Sequence, residues 1–270
     1  MNVNNYDFKP EEAYNAICSH WFEWTKQNGL FGCNEKTGKC ATKVVVGISG
    51  GKDSTVVAGL FTKMLGKDNV IGVSLPCDGQ KDMPDVDKVF WHLGIRRITV
   101  DIGDEFQSIV NSLENNAIDV TYDTKTNLPA RLRMSALYAV AQSVGGIVLN
   151  TCNLSEDICS YSTIYGDCAG SYAPIQGLTV TEIIMLGDWL GIPYELTHKT
   201  PIDGLQPLSD EEKLGFTYAQ LDLFIRRNEG TNEFKEMVYK KYLSGKFKTD
   251  IVRIPQPKFG YPNFVYEFKA

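Results

Sequence analysis

Histidine is scarce in this chain, paired-cysteine motifs are missing, and neither a basic excess nor a long apolar run is present. Three histidines, at 20, 92 and 198, leave little material for a histidine-based catalytic relay or a Cys/His metal cluster. Seven cysteines occur, none in a Cys-x-x-Cys pair; Cys33 and Cys40 have six residues between them, and Cys152, Cys159 and Cys168 are spread over one region. Structural zinc wants closely spaced thiolates, so the expectation is free, mostly buried thiols in a reducing compartment. No apolar stretch reaches the roughly 18 residues that span a bilayer. The start, Met1 to Asp7, has neither the basic residues nor the apolar core of a signal peptide, so a cytoplasmic protein is expected. The formal net charge of −6 argues against extensive contact with a nucleic-acid backbone. A polyanionic small molecule would have to be met by a local concentration of backbone amides, a few basic residues and a metal ion.

The 270 residues suffice for one large domain with a substantial core, and 43% hydrophobic with 22% charged residues is ordinary for a globular protein. Ala13, Ile17, Trp21 and Trp24 recur at helical spacing and predict an amphipathic helix over Glu11–Gln27. A polar loop is expected over Asn28–Thr42. Then Lys43–Ile48, rich in valine, reads as a buried strand, followed by a helix over Ser54–Leu65. Strands at Val70–Leu75, Arg96–Asp101 and Ile147–Thr151 alternate with helices at Pro84–Leu93, Glu105–Asn115 and Leu128–Val144. That alternation predicts an α/β fold: a doubly wound, Rossmann-like parallel sheet with flanking helices. Past Thr179 the pattern turns helical, with capping-box signatures at Thr179–Glu182, Ser209–Glu212 and Thr217–Gln220. Thr197–Ser209 reads as a long loop, and the proline- and aromatic-bearing tail Phe247–Ala270 as an extended arm.

The most informative segment is Gly47-Ile-Ser-Gly-Gly-Lys-Asp-Ser54, between a buried strand and a helix. Adjacent glycines allow a tight turn and a close backbone approach to a ligand. The turn's amides and the helix N-terminus then converge on one anion site. Ser49 and Ser54 add hydroxyls, and Asp53 offers a carboxylate for magnesium. The spacing is neither that of the G-x-x-x-x-G-K-[ST] phosphate loop nor that of the G-x-G-x-x-G dinucleotide turn. Farther along, Asn150-Thr-Cys-Asn-Leu-Ser-Glu156 leaves a strand and places a hydroxyl and a carboxylate at its C-terminal end, where parallel sheets bind ligands.

The Ser-Gly-Gly-x-Asp-Ser loop resembles the signature of the ATP pyrophosphatase superfamily. Thr126–Met134 with Arg131 and Arg133, Asn150–Glu156, Tyr161–Asp167, Thr200–Leu205 and Leu214–Tyr218 follow in the order and spacing of the ammonia-dependent NAD synthetases, from about Lys43 to Asn228. The resemblance implies cleavage of ATP between its α and β phosphates and adenylation of the deamido-NAD carboxylate. Ammonia would then displace AMP. It implies ATP binding by Gly47, Ile48, Ser49, Gly50, Gly51, Lys52, Asp53, Ser54, Gln80 and Thr151. Asp53 and Glu156 would hold Mg2+ and, with Lys52, act in catalysis, while Arg131, Asp167 and Lys248 would contact deamido-NAD. It also implies a homodimer, and one domain spanning 1–270: an N-terminal helix and loop over about 1–42, an ATP pyrophosphatase core over 43–200, and a lid, helices and C-terminal arm over 201–270.

Four positions depart from many relatives. Ile164 and Val180 stand where those carry lysine, Ser74 where they carry arginine, and Ser171 where they carry aspartate. Either other cations such as Lys52, Arg133 or Lys199 compensate, or the chain belongs to a divergent branch with an aliphatic residue before Tyr-Gly-Asp, and the second is the favoured expectation. Thr197–Ser209 is expected to close as a lid over the adenylate. The length leaves no room for the amidase domain of glutamine-using relatives, so free ammonia or a separate donor is the expected nitrogen source. Two other readings stay open: a GMP synthetase-like or tRNA-thiolating enzyme with the same loop, and a non-catalytic adenine-nucleotide-binding module.

Overall fold

A computed structural model describes residues 7–30, 33–34, 39–40, 42–77, 82–199 and 210–248. Helix α1 (Pro10–Gln27) opens the described chain; its proline at the first helical position and Glu11 and Glu12 in the first turn are favourable N-terminal choices. Two-residue strands β1 (Cys33–Asn34) and β2 (Lys39–Cys40) pair antiparallel inside the segment expected to be pure loop. The core then alternates: β3 (Lys43–Gly47), α2 (Lys52–Leu65), β4 (Val70–Ser74), α3 (Met83–Leu93), β5 (Arg96–Thr99), α4 (Gly103–Asn115), α5 (Tyr122–Val144) and β6 (Gly146–Val148). Helices α6 (Leu154–Cys159), α7 (Val180–Trp189), α8 (Tyr194–Thr197), α9 (Asp210–Leu214), α10 (Tyr218–Arg227) and α11 (Asn232–Gly245) complete it.

Strands β3 to β6 form a parallel sheet in the order β5-β4-β3-β6. The α/β expectation holds, with helices on both faces as a parallel sheet requires. Successive side chains of β3 divide between them: Val44 and Val46 join a core with Trp21, Phe61, Val86, Ile183 and Leu186, whereas Val45 joins Ile71, Val73, Val148 and Ala141 on the α5 side. Trp21 is fully buried and meets Phe61 and Tyr172 edge-on, with centroids 5.0 Å away in each case. A third cluster of Cys159, Val180, Leu214, Phe216, Tyr218, Leu221 and Val238 binds α10 and α11 to α6 and α7.

The expected helix beginning at Leu128 instead begins at Tyr122. Thr121 caps it, accepting from the amide of Thr124, and Pro129 lies inside the helix rather than at its start. The predicted capping boxes at Thr179–Glu182 and Thr217–Gln220 both form with their reciprocal bonds. Ser209, Gln80, the segment 200–209 and the arm beyond Lys248 lie outside the described residues. No described helix is long and apolar enough to cross a membrane.

Candidate active site

From β3 the chain winds outward through β4 and β5, then returns to the other side of β3 as β6. The strand order therefore reverses between β3 and β6. The crevice outside the carboxyl ends of those strands is the favoured ligand position in such a sheet. The glycine loop leaves β3 into that crevice, and the Asn150–Glu156 segment leaves β6 into its other wall.

The loop is organised by its own hydroxyls. Ser54 Oγ accepts from the amide of Ser49 and lies 3.1 Å from Ser49 Oγ, which in turn accepts from the amide of Gly51. Gly50 has φ +78°, and a Cβ there would stand 3.1 Å from both Asp85 Cβ and the amide nitrogen of Val86. Both the backbone conformation and the close approach of α3 demand glycine at this position.

Asp53 stands at the start of α2. Its Oδ2 pairs at 2.9 Å with Nζ of Lys52, a side chain only 5% exposed that also lies 5.7 Å from the centroid of the Tyr218 ring. Its Oδ1 accepts from Nδ2 of Asn153 at 3.1 Å. Asn153 caps α6: its Oδ1 accepts from the amide of Glu156, and its own amide donates to Glu156 Oε2 at 3.1 Å. The capping box thus holds Glu156 beside Asp53. Burial first, and the Asp53 charge second, push the Glu156 carboxyl well above the usual carboxylate range, against the pull of Lys52. Two hard-oxygen carboxylates and one ammonium sum to a single negative charge when ionised, an arrangement suited to a divalent cation. No group of three or more potential ligands occurs among the described residues. A pair of carboxylates completed by phosphate oxygens is the usual protein share of a Mg2+ site.

Thr151 follows β6 at the crevice mouth, part-exposed. Arg131, on α5, donates from Nε to the carbonyl of Ile164, so this cation is tied to the 161–167 loop. Arg133 donates from Nε to the carbonyl of Leu75 at the end of β4, 3.0 Å away. Asp167 accepts from the amide of Thr163, which closes that loop. Lys248 Nζ donates to the carbonyls of Ser160 and Ser162 at 2.8 Å each. Arg131, Asp167 and Lys248 therefore converge on one loop, while Lys52, Asp53, Glu156 and Thr151 gather at the crevice. Of the neutral replacements, Ser74 and Val180 are buried, whereas Ser171 is exposed and lies 3.4 Å from the Tyr138 hydroxyl.

Sequence reasoning gave no role to Asn150 or Asn153. Asn150 is buried and its side chain ties β6 to the carbonyls of Asp167 and Ala169. Lys199, named as a compensating cation, bonds Asp82 and Asp85 at 2.8 Å each, on the α3 turn that backs Gly50.

A glycine turn feeding a helix at the switch point of an open parallel sheet defines an α/β protein of the anion-gripping kind. Residues 32–257 match the NAD synthase family, and the chain belongs to it. The NH(3)-dependent NAD(+) synthetase of Pyrococcus furiosus is 40% identical over 187 residues, 68% of this chain and 71% of that protein. The solved structure of an NMN synthetase from Francisella tularensis is similar with a TM-score of 0.81 at 29% identity, over 93% of this chain and 100% of that one. An NH3-dependent NAD synthetase from Campylobacter jejuni shares the fold with a TM-score of 0.70 at 24% identity, over 92% and 100% of the two chains.

Proposed function

We propose that the protein is a ligase that uses ATP to amidate the nicotinate carboxylate of deamido-NAD with ammonia, yielding NAD, AMP and pyrophosphate. The observation that carries this reading is the junction of Asp53, Asn153 and Glu156 beside the glycine loop, within a member of the NAD synthase family. The loop amides and the Ser49 and Ser54 hydroxyls would receive the β and γ phosphates of ATP. Lys52 would balance the charge that develops on the departing pyrophosphate, which is electrostatic stabilisation by groups already in place. Mg2+ held by Asp53 and Glu156 would add charge neutralisation of the phosphates when bound. The substrate carboxylate attacks the α-phosphorus, and the P–O bond to pyrophosphate breaks. Ammonia then adds to the adenylate carbonyl, AMP leaves with the C–O bond, and a proton is lost to solvent. Neither step needs a histidine relay.

Arg131 and Lys248, gathered at the 161–167 loop, supply the positive charge for the substrate's phosphate, with Asp167 bracing that loop. Gln80 and Thr151 would complete the nucleotide pocket. A homodimer fits the exposed apolar side chains Ile109, Ile118, Tyr122 and Tyr138 on α4, α5 and their connection. The five cysteines with described side chains are free, in keeping with a reducing cytoplasm. The whole of 1–270 would act as one synthetase domain.

A second acceptor is favoured by one observation. The Francisella protein, an NMN synthetase, is the better structural match of the two solved neighbours above. Nicotinate mononucleotide carries the same nicotinate carboxylate but lacks the AMP half of the dinucleotide. The deciding experiment measures AMP and pyrophosphate release with ATP, Mg2+ and ammonium, adding deamido-NAD, nicotinate mononucleotide or neither. Stimulation by deamido-NAD with the higher kcat/KM supports the main reading. Preference for the mononucleotide establishes the second, and stimulation by neither sinks both. It would leave a thiolating or GMP synthetase-like enzyme, or a binding module.

A further inference from the structure

Asp222, on α10, is fully buried and lies outside the crevice. Its Oδ1 accepts from Ser155 Oγ at 2.6 Å, and its Oδ2 from both the amide and the hydroxyl of Thr181, at 2.7 and 2.6 Å. Ser155 Oγ also accepts from the amide of Val180 at 3.1 Å. One carboxylate therefore fastens the first turns of α6 and α7 to α10. The first turn of α6 carries Glu156, a candidate metal ligand, and Asn153 caps that turn. Asn153, Ser155 and Glu156 are consecutive or nearly so, and Asn153 reaches Asp53 across the crevice. The α6 capping box is complete without Ser155, so the serine hydroxyl is not spent on capping its own helix. It is turned away from the crevice, onto Asp222.

Burying a carboxylate is costly, and well-packed apolar side chains hold helices together at least as well. Burial indeed raises the Asp222 carboxyl above its ordinary range, against the donors that stabilise its charge. What a carboxylate adds over an apolar contact is direction: it fixes where Ser155, and with it Glu156 and Asn153, sits relative to Asp53. We propose that Asp222 is a positioning residue that acts through Ser155 to set the Asp53–Asn153–Glu156 geometry, and so the protein's affinity for magnesium-bound nucleotide. This inference rests on the ATP-using reading above and is independent of which acceptor is amidated.

The test compares two hydroxyl deletions on the same carboxylate. Ser155→Ala removes the link to α6 together with the acceptor of the Val180 amide, and Thr181→Val removes the hydroxyl link to α7 while keeping its amide. Both variants, the wild type and Asp222→Asn are prepared as full chains, with folding checked by thermal denaturation. The readout is the Mg2+ concentration giving half-maximal binding of α,β-methylene ATP. The expected result is an increase of roughly ten- to a hundredfold for Ser155→Ala, the range found when partners of metal ligands are removed. Thr181→Val should stay within about twofold of wild type despite a comparable loss of thermal stability. Equal shifts in the two hydroxyl variants, or none in Ser155→Ala, would overturn the proposal even if Asp222→Asn does not fold. A wild type that binds the analogue without regard to Mg2+ would overturn this inference alone, and one that does not bind it at any Mg2+ concentration would remove the ATP-using reading as well.

Discussion

Asn153 Nδ2 donates to Asp53 Oδ1 at 3.1 Å across 100 residues of sequence, joining the loop after β3 to the helix after β6. The same side chain caps α6 through its carbonyl oxygen, so one asparagine orients both candidate metal ligands.

Removing that asparagine should separate stability from activity. Asn153→Ala loses an N-cap, worth about 1 kcal/mol, and should lower the thermal midpoint by a few degrees for a chain of this size. It should lower turnover far more, because Glu156 and Asp53 lose their common anchor. Asp53→Asn keeps the shape and should nearly abolish AMP release while the protein stays folded. Retained turnover in Asp53→Asn would remove it as a metal ligand.

Gly50→Ala tests the loop itself. The left-handed backbone at φ +78° costs a non-glycine residue about 1–2 kcal/mol, and the added Cβ meets Asp85 and the Val86 amide at 3.1 Å. The substitution should raise the KM for ATP by tenfold or more with a modest loss of stability. Steady-state kinetics at varied ATP, beside a melting curve, checks it; an unchanged KM would mean that the turn does not hold phosphate.

The parts of this site that could be read in the sequence are those contained in one short segment. The glycine loop announces itself because a β-branched strand, two glycines and a helix start are consecutive. The Thr179 and Thr217 capping boxes are legible for the same reason. Asn153 shares the capping-box spacing with Glu156, but its bond to Asp53, like the bonds of Asn150 and Asp222, has no such local mark. Each is a polar residue whose partner lies on another element, and the pairing exists only once β6 is beside β3 and α10 is against α6. Helix α5 starts six residues before the expected Leu128, because Thr121 supplies the cap and Pro129 is accommodated inside the helix. Gly50 was legible as a turn, but the reason that nothing larger fits, the approach of α3, was not.

Lys199 tests the wall behind the loop. It pairs with Asp82 and Asp85, and Asp85 is the side chain against Gly50. Part-exposed pairs of this kind contribute about 0.2–1 kcal/mol each. Lys199→Met should therefore shift the melting temperature little but raise the KM for ATP severalfold, as Asp82 and Asp85 repel and the α3 turn relaxes. Raising the salt concentration should narrow the gap between variant and wild type, since it weakens the same pairs in the parent protein. A gap that salt leaves untouched would rule out this electrostatic account.

Alkaline pH should unfold the protein through its buried acids. Burial pushes the Cys159 thiol up to about 12 from an ordinary 9, and the Tyr172 hydroxyl up to about 12 from 10. The Cys152 thiol is pushed well above 9 by burial and by nearby carboxylates. The folded state keeps these protons where the unfolded chain releases them. Their contribution to stability is thus whole below pH 9 and is lost as pH rises toward 12. The urea midpoint should be flat in this respect up to pH 9 and fall steadily above it. In the same native range, iodoacetamide at pH 8 should leave Cys152 and Cys159 unmodified, because the reactive thiolate is not formed, and should label both once the protein is unfolded. Mass spectrometry of the labelled peptides reads the outcome directly; rapid labelling of Cys159 in the folded protein would show that the α6–α11 packing opens far more readily than its burial implies.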